Sequence, residues 1–133
     1  MDWYSDAAIQ AVELYAHRPA LQPRVAWEFA TRRIFGKGTS SQVKSCPRGA
    51  FLGLCEAGLV RGIPAGRYTT SRKNKQYAVE AVNLLLRFPH LADDPLGLWA
   101  TVIRGKFKTH NSQMSVVIAL WKRGFINPAS TEA

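Results

Sequence analysis

The feature that most constrains this chain is internal similarity, because three blocks of its first half recur in its second half in the same order. Ala8-Ile9-Gln10-Ala11-Val12-Glu13-Leu14 aligns with Ala78-Val79-Glu80-Ala81-Val82-Asn83-Leu84 at an offset of 70, with four identities. At an offset of 72, Pro23, Trp27, Arg32 and Phe35 match Pro95, Trp99, Arg104 and Phe107. At an offset of 66, Leu54 and Gly58 match Leu120 and Gly124, and Leu59-Val60 corresponds to Phe125-Ile126. Offsets that differ by a few residues are what loop insertions produce, so the alignment predicts a tandem duplication.

Each block reads as a helix. Ala8, Val12 and Tyr15 recur at i, i+4, i+7, and Ala78, Val82 and Leu85 repeat the stripe. Pro19 and Pro89 stop these two helices, since neither fits a helix interior without loss of a hydrogen bond. Asp94 as N-cap with Pro95 at the first helical position starts the fifth helix, and Pro23 plays the same part in the second. Trp27 and Trp99, followed two turns on by Phe35 and Phe107, suit a core stripe. The third and sixth helices are expected from Cys46-Pro47 and Asn111-Ser112, each ending at a glycine, Gly58 or Gly124, able to take the left-handed conformation. The runs 59–63 and 125–127 are weak strand signals. The expectation is an all-α fold: a tandem repeat of two three-helix units packed around one shared core, because a unit of about 60 residues is marginal alone.

A length of 133 residues fits a single domain, divided into a first repeat (1–60), a basic linker (61–75) and a second repeat (76–133). With 47% apolar and 20% charged residues, the chain is too hydrophobic to be disordered. No apolar run reaches the length of a membrane span, and the acidic start Met1-Asp2-Trp3-Tyr4-Ser5-Asp6 is unlike a signal peptide, so a cytoplasmic protein with no membrane partner is expected.

The formal net charge of +9 directs attention to anionic partners. Fifteen of the eighteen cations lie in stretches without a carboxylate, between Glu28 and Glu56, between Glu56 and Glu80, and between Asp94 and Glu132. The linker combines Gly62, Pro64 and Gly66 with Arg61, Arg67, Arg72, Lys73 and Lys75, one tyrosine and several hydroxyls, as a phosphate-contacting loop would. A plain polar linker has the same composition. Arg104, Lys106 and Lys108 form a second cluster. Arg32 and Arg104 are equivalent in the alignment, and each follows its tryptophan by five residues, about 140° round a helix, so both are expected near one anion-binding groove. Lys37 sits in Gly36-Lys37-Gly38-Thr39-Ser40-Ser41, which has small residues for anion binding but not P-loop spacing.

Two cysteines, Cys46 and Cys55, are too few for a disulfide framework, and on one helix they lie about 13 Å apart. His17, His90 and His110 lack ligand spacing, so reduced thiols, no metal and no cofactor are expected. Cys46, at a helix start between Lys44 and Arg48, is the best nucleophile candidate, with His110 as its base if the two helix starts meet. A capping or packing role is the favoured reading of both residues, since no Asn or Asp is placed to orient the histidine. A helix-turn-helix is poorly supported, because Val116, Val117, Ile118, Leu120 and Trp121 leave few polar side chains for base edges.

Cys46-Pro47-Arg48-Gly49-Ala50-Phe51-Leu52-Gly53-Leu54-Cys55-Glu56, with Gly58-Leu59-Val60, Gly62-Ile63-Pro64, Asn74-Lys75-Gln76-Tyr77, His110-Asn111-Ser112-Gln113-Met114 and Ala119-Leu120-Trp121, resembles a family of small bacterial proteins of unknown function carried on mobile elements. The resemblance implies a self-contained domain and supplies no catalytic residues. The expected function is a non-enzymatic basic helical module for nucleic acid or a nucleoprotein surface, using Arg32, Lys37, Arg61, Arg67, Arg72, Lys73, Lys75, Arg104, Lys106 and Lys108. The alternatives are a protein-binding inhibitor, such as a phage-encoded anti-defence (anti-CRISPR-like) protein, and an enzyme using the Cys46/His110 pair.

Overall fold

Polypeptide capping and proline placement set the helix boundaries in the computed structural model, which describes residues 2–128. The helices are α1 (Trp3–His17), α2 (Pro23–Phe35), α3 (Ser45–Glu56), α4 (Arg72–Arg87), α5 (Pro95–Val102) and α6 (Gln113–Lys122), with a 3-10 helix over Pro89–Asp93. The all-helical expectation holds: among the described residues there are six α-helices and no strand. Asp2 caps α1, its Oδ1 accepting the amides of Tyr4 and Ser5 at 3.1 Å, and Asp94 caps α5 through the Gly97 amide at 3.0 Å. α1 and α4 stop ahead of Pro19 and Pro89, but Pro89 opens the 3-10 helix, an element with no counterpart between α1 and α2.

The core is built on the anticipated stripes. Ala8, Val12 and Tyr15 of α1 and Ala78, Val82 and Leu85 of α4 are buried, with Ala7, Ala11 and Ala81 beside them. Trp27 and Trp99 are 1% and 5% exposed. Trp27 stacks on Phe51 at 5.1 Å between ring centroids, and Trp99 meets Tyr77 edge-on at 5.2 Å. α3 and α6 are the central pair: α3 packs on α4 and α6, and α6 also packs on α1 and α4.

Both central helices end in the expected glycine turn. Gly58 and Gly124 have φ of 76° and 72°, and the 6→1 bonds Leu59 N–H to Leu54 O (3.0 Å) and Phe125 N–H to Leu120 O (2.9 Å) complete two Schellman motifs. The segments that follow meet side by side. Val60 and Ile126 form an isolated antiparallel bridge, with Arg61 donating its amide to Phe125 O at 2.8 Å and Asn127 donating to Leu59 O at 2.7 Å.

Two boundaries depart from the sequence reading. α4 begins at Arg72, so the last four residues of the anticipated linker, which include Arg72, Lys73 and Lys75, belong to its first turn. Phe35 is half-buried against Tyr4, 4.7 Å between centroids, whereas Phe107 is fully exposed and lies outside any helix. The cause is local: α5 ends at Val102, and Arg104 and Gly105 take φ of 54° and 75°, which turns the chain away before Phe107 can reach the core. Arg32, by contrast, is still in the last turn of α2.

Candidate functional site

Gly49, Gly53 and Glu56 recur at i, i+4, i+7 and face α4. A Cβ on Gly49 would lie 2.9 Å from Asn74 Cβ, and one on Gly53 would lie 2.5 Å from Lys75 Cα, so the two glycines let the first turns of α4 cross α3 at backbone contact. That approach sets Glu56 beneath the start of α4. Its Oε2 accepts Lys75 Nζ at 2.7 Å and Arg72 NH2 at 2.9 Å, while its Oε1 accepts the amides of Tyr68 (2.9 Å) and Thr69 (3.3 Å). The residue is 7% exposed. Burial pushes the Glu56 pKa up, but the bonds from Lys75, the two amides and Arg72 outweigh it and hold the carboxyl down to about 2. One carboxylate thereby ties α3, the 66–71 segment and α4 together.

Beside this knot lies a groove of about 930 Å³ lined by α2, α3, the 66–71 segment and the first turn of α4. Arg24, Arg48, Arg67, Arg72 and Lys75 face only Glu28 and Glu56 there. Both carboxylates are engaged, Glu56 as described and Glu28 between Arg24 (3.9 Å) and Arg32 (3.7 Å). Among the described residues, Arg48 and Arg67 have no carboxylate partner. Ser45, Thr69, Thr70 and Ser71 add hydroxyl or amide groups to the walls. The N-termini of α3 and α4 open here with no acidic residue in the first turn and without the side-chain cap that α1 and α5 have, so their positive dipole ends reinforce the cations.

A second concavity of about 340 Å³ lies on the other side of α4. Lys73, Arg104, Lys106 and Lys108 line it with Tyr77 and a single carboxylate, Glu80, which is 3.9 Å from Arg104. Trp99 Nε1 donates to Lys108 O at 2.9 Å and so anchors this segment to the core.

The structure thus divides the anticipated cations. Arg67, Arg72 and Lys75 share the larger groove, and Lys73, Arg104, Lys106 and Lys108 share the smaller one. Arg32 and Arg104 do not line a common groove: Arg32 lines neither concavity and turns to Glu28. Arg61 donates through Nε to Gly124 O at 3.0 Å, completing the C-terminus of α6. Lys37 is exposed on a loop stitched to α2, where Gly38 donates its amide to Gln42 Oε1 (3.1 Å) and Gln42 Nε2 donates to Thr31 Oγ1 (3.1 Å). Arg24, Arg48, Glu28 and Glu56 were missed in the sequence. A signal for Glu56 was present, as it is the one carboxylate between residues 29 and 79.

The proposed dyad is not assembled. His110 Nε2 accepts the Met114 amide at 3.1 Å, a cap on α6 that requires a neutral imidazole, and its ring packs on Trp99 at 5.3 Å. No hydrogen bond links it to Cys46, which is partly exposed; Cys55 is buried, and burial raises its thiol pKa far above the usual range. Burial lowers the His110 pKa below its ordinary 6.5, opposed by the Asp2 carboxylate and reinforced by Lys44. A histidine with a depressed folded-state pKa supports the fold fully above the unfolded value and less as pH falls through the folded value. The urea midpoint is therefore expected to drop between pH 7 and pH 5, and His110→Phe is expected to remove that step. An unchanged step in the variant would refute the assignment.

No helix among the described residues is long and apolar enough to cross a membrane. The model of a family of unknown function (DUF6979) matches residues 1–127, so the chain belongs to that family. No curated protein and no solved structure matches the chain.

Proposed function

We propose that this member of a family of unknown function is a non-enzymatic module that binds the phosphate backbone of nucleic acid in the larger groove. The observation that carries the reading is the charge balance there: five basic side chains face two carboxylates that are already engaged, which leaves Arg48 and Arg67 available. Backbone contacts of this kind position a ligand without reading sequence, in keeping with the apolar α6 face. Reduced thiols and a nucleic-acid ligand both fit a cytoplasmic setting.

Fluorescence anisotropy with mixed-sequence DNA and RNA, repeated as salt is raised, tests the proposal. Affinity is expected to fall steeply with salt, and Arg48→Glu with Arg67→Glu is expected to weaken binding at least tenfold and to flatten the log–log salt slope by about 2. Absence of binding at low salt overturns the reading.

The two halves are also proposed to be related by an approximate two-fold axis, which would give the shared core of the duplicated sequence. The support is reciprocity at an offset of 66: Arg61 N–H pairs with Phe125 O while Asn127 N–H pairs with Leu59 O, about the Val60–Ile126 bridge. A crystal structure in which Trp27 and Gly58 do not superpose on Trp99 and Gly124 when the halves are overlaid would reject it.

A further inference from the structure

Phe107 is the most exposed large apolar side chain among the described residues, and its neighbours Lys106 and Lys108 both line the smaller concavity with Lys73 and Arg104. The segment carrying it is held at both ends. Lys106 donates its amide to Ile103 O at 3.1 Å, Gly105 donates to Ala100 O at 3.5 Å, and Trp99 Nε1 binds Lys108 O. A ring on an anchored segment loses little entropy on binding, yet nothing within the described chain covers it. We infer that Phe107 is a stacking platform for one base of a single-stranded nucleic acid, with the flanking phosphates held by Lys106, Lys108 and the adjoining Lys73 and Arg104; this rests on the nucleic-acid reading of the larger groove and specifies the form of the ligand.

Charge and geometry select that ligand. Phe107 lies outside the lining of the concavity while the lysines on either side of it line the wall, one Cα step of about 3.8 Å away, so a strand whose phosphates follow the concavity can turn one base outward onto the ring at its rim. Only an unpaired base offers a free face to the ring, whereas bases in a duplex are stacked on each other. A bilayer is the poorer occupant, because a single ring buries too little apolar area to anchor a protein.

The test compares wild type, Phe107→Ala and Phe107→Trp by anisotropy on an oligo-dT single strand and on a mixed-sequence duplex of equal length, at one ionic strength. Phe107→Ala is expected to lower single-strand affinity about tenfold, as loss of one base–aromatic stack does, with duplex affinity unchanged and Phe107→Trp close to wild type. The circular dichroism of all three should be the same, since the ring packs on nothing. Equal single-strand affinity of wild type and Phe107→Ala overturns this inference alone, as does an equal loss on both probes. Failure of the wild type to bind either probe at low salt overturns the groove reading and this inference together. Binding to phosphatidylserine vesicles that Phe107→Ala abolishes, with oligo-dT affinity unaffected, overturns it in favour of a membrane.

Discussion

Gly53→Val is expected to lower the melting temperature by roughly 10 °C, corresponding to about 3 kcal/mol of lost stability in a chain of this size. The new Cβ would stand 2.5 Å from Lys75 Cα, a backbone atom that cannot swing aside, so α4 has to move as a body. Its γ-methyl groups add to the overlap. Gly53→Ala provides a sharper comparison, because alanine gains about 1 kcal/mol of helix propensity over glycine and any net loss must come from the helix crossing. A thermal melt followed by circular dichroism measures both. A neutral or stabilising Gly53→Ala would mean that α3 and α4 are not at backbone contact. The same displacement carries Arg72 and Lys75 out of the groove they share with Arg48 and Arg67, so nucleic-acid affinity should decline with stability.

Glu56→Ala is expected to cost about 2–3 kcal/mol, less than a fully buried ion pair because Arg72 remains 65% exposed and can return to water. The pH dependence separates the carboxylate from a simple packing loss. A carboxyl whose folded-state pKa is held down to about 2 contributes its full stabilisation above the unfolded value of 4.5 and loses it as pH falls through the folded value. Chemical unfolding of the wild type should therefore weaken across that acid window, and Glu56→Gln should show a markedly shallower decline. Parallel acid profiles for the two proteins would show that Glu56 does not hold the knot. Binding should move the other way: with one negative charge gone, Glu56→Gln is expected to bind DNA at least as tightly as wild type at temperatures where it is folded. Loss of stability together with retained or increased affinity is a combination that general unfolding does not produce.

Much of the helical framework was legible because its causes are local. Asp94-Pro95 starts a helix, Pro19 and Pro89 stop two, and Gly58 and Gly124 turn the chain, each through a preference that acts within four or five residues. The alanine-rich stripes of α1 and α4 revealed their buried faces for the same reason. Phe107 escaped this reading. Its alignment with Phe35 predicted a core position, but the left-handed turn at Arg104-Gly105 ends α5 early and decides its exposure.

The site itself follows a different division. The sequence by itself determined the excess of cations, the carboxylate-free stretches and the helix that carries Gly49, Gly53 and Glu56 on one face. Which cations act together was decided only by tertiary structure, since Arg24 and Arg67 are 43 positions apart and yet line one groove, while Lys73 and Lys75 separate to opposite sides of α4. Charge is a property of residues and can be counted along a chain. Convergence depends on the distance of closest approach between helices, which here is set by the missing side chains at Gly49 and Gly53 and locked by a carboxylate that outbids its own burial through four donors.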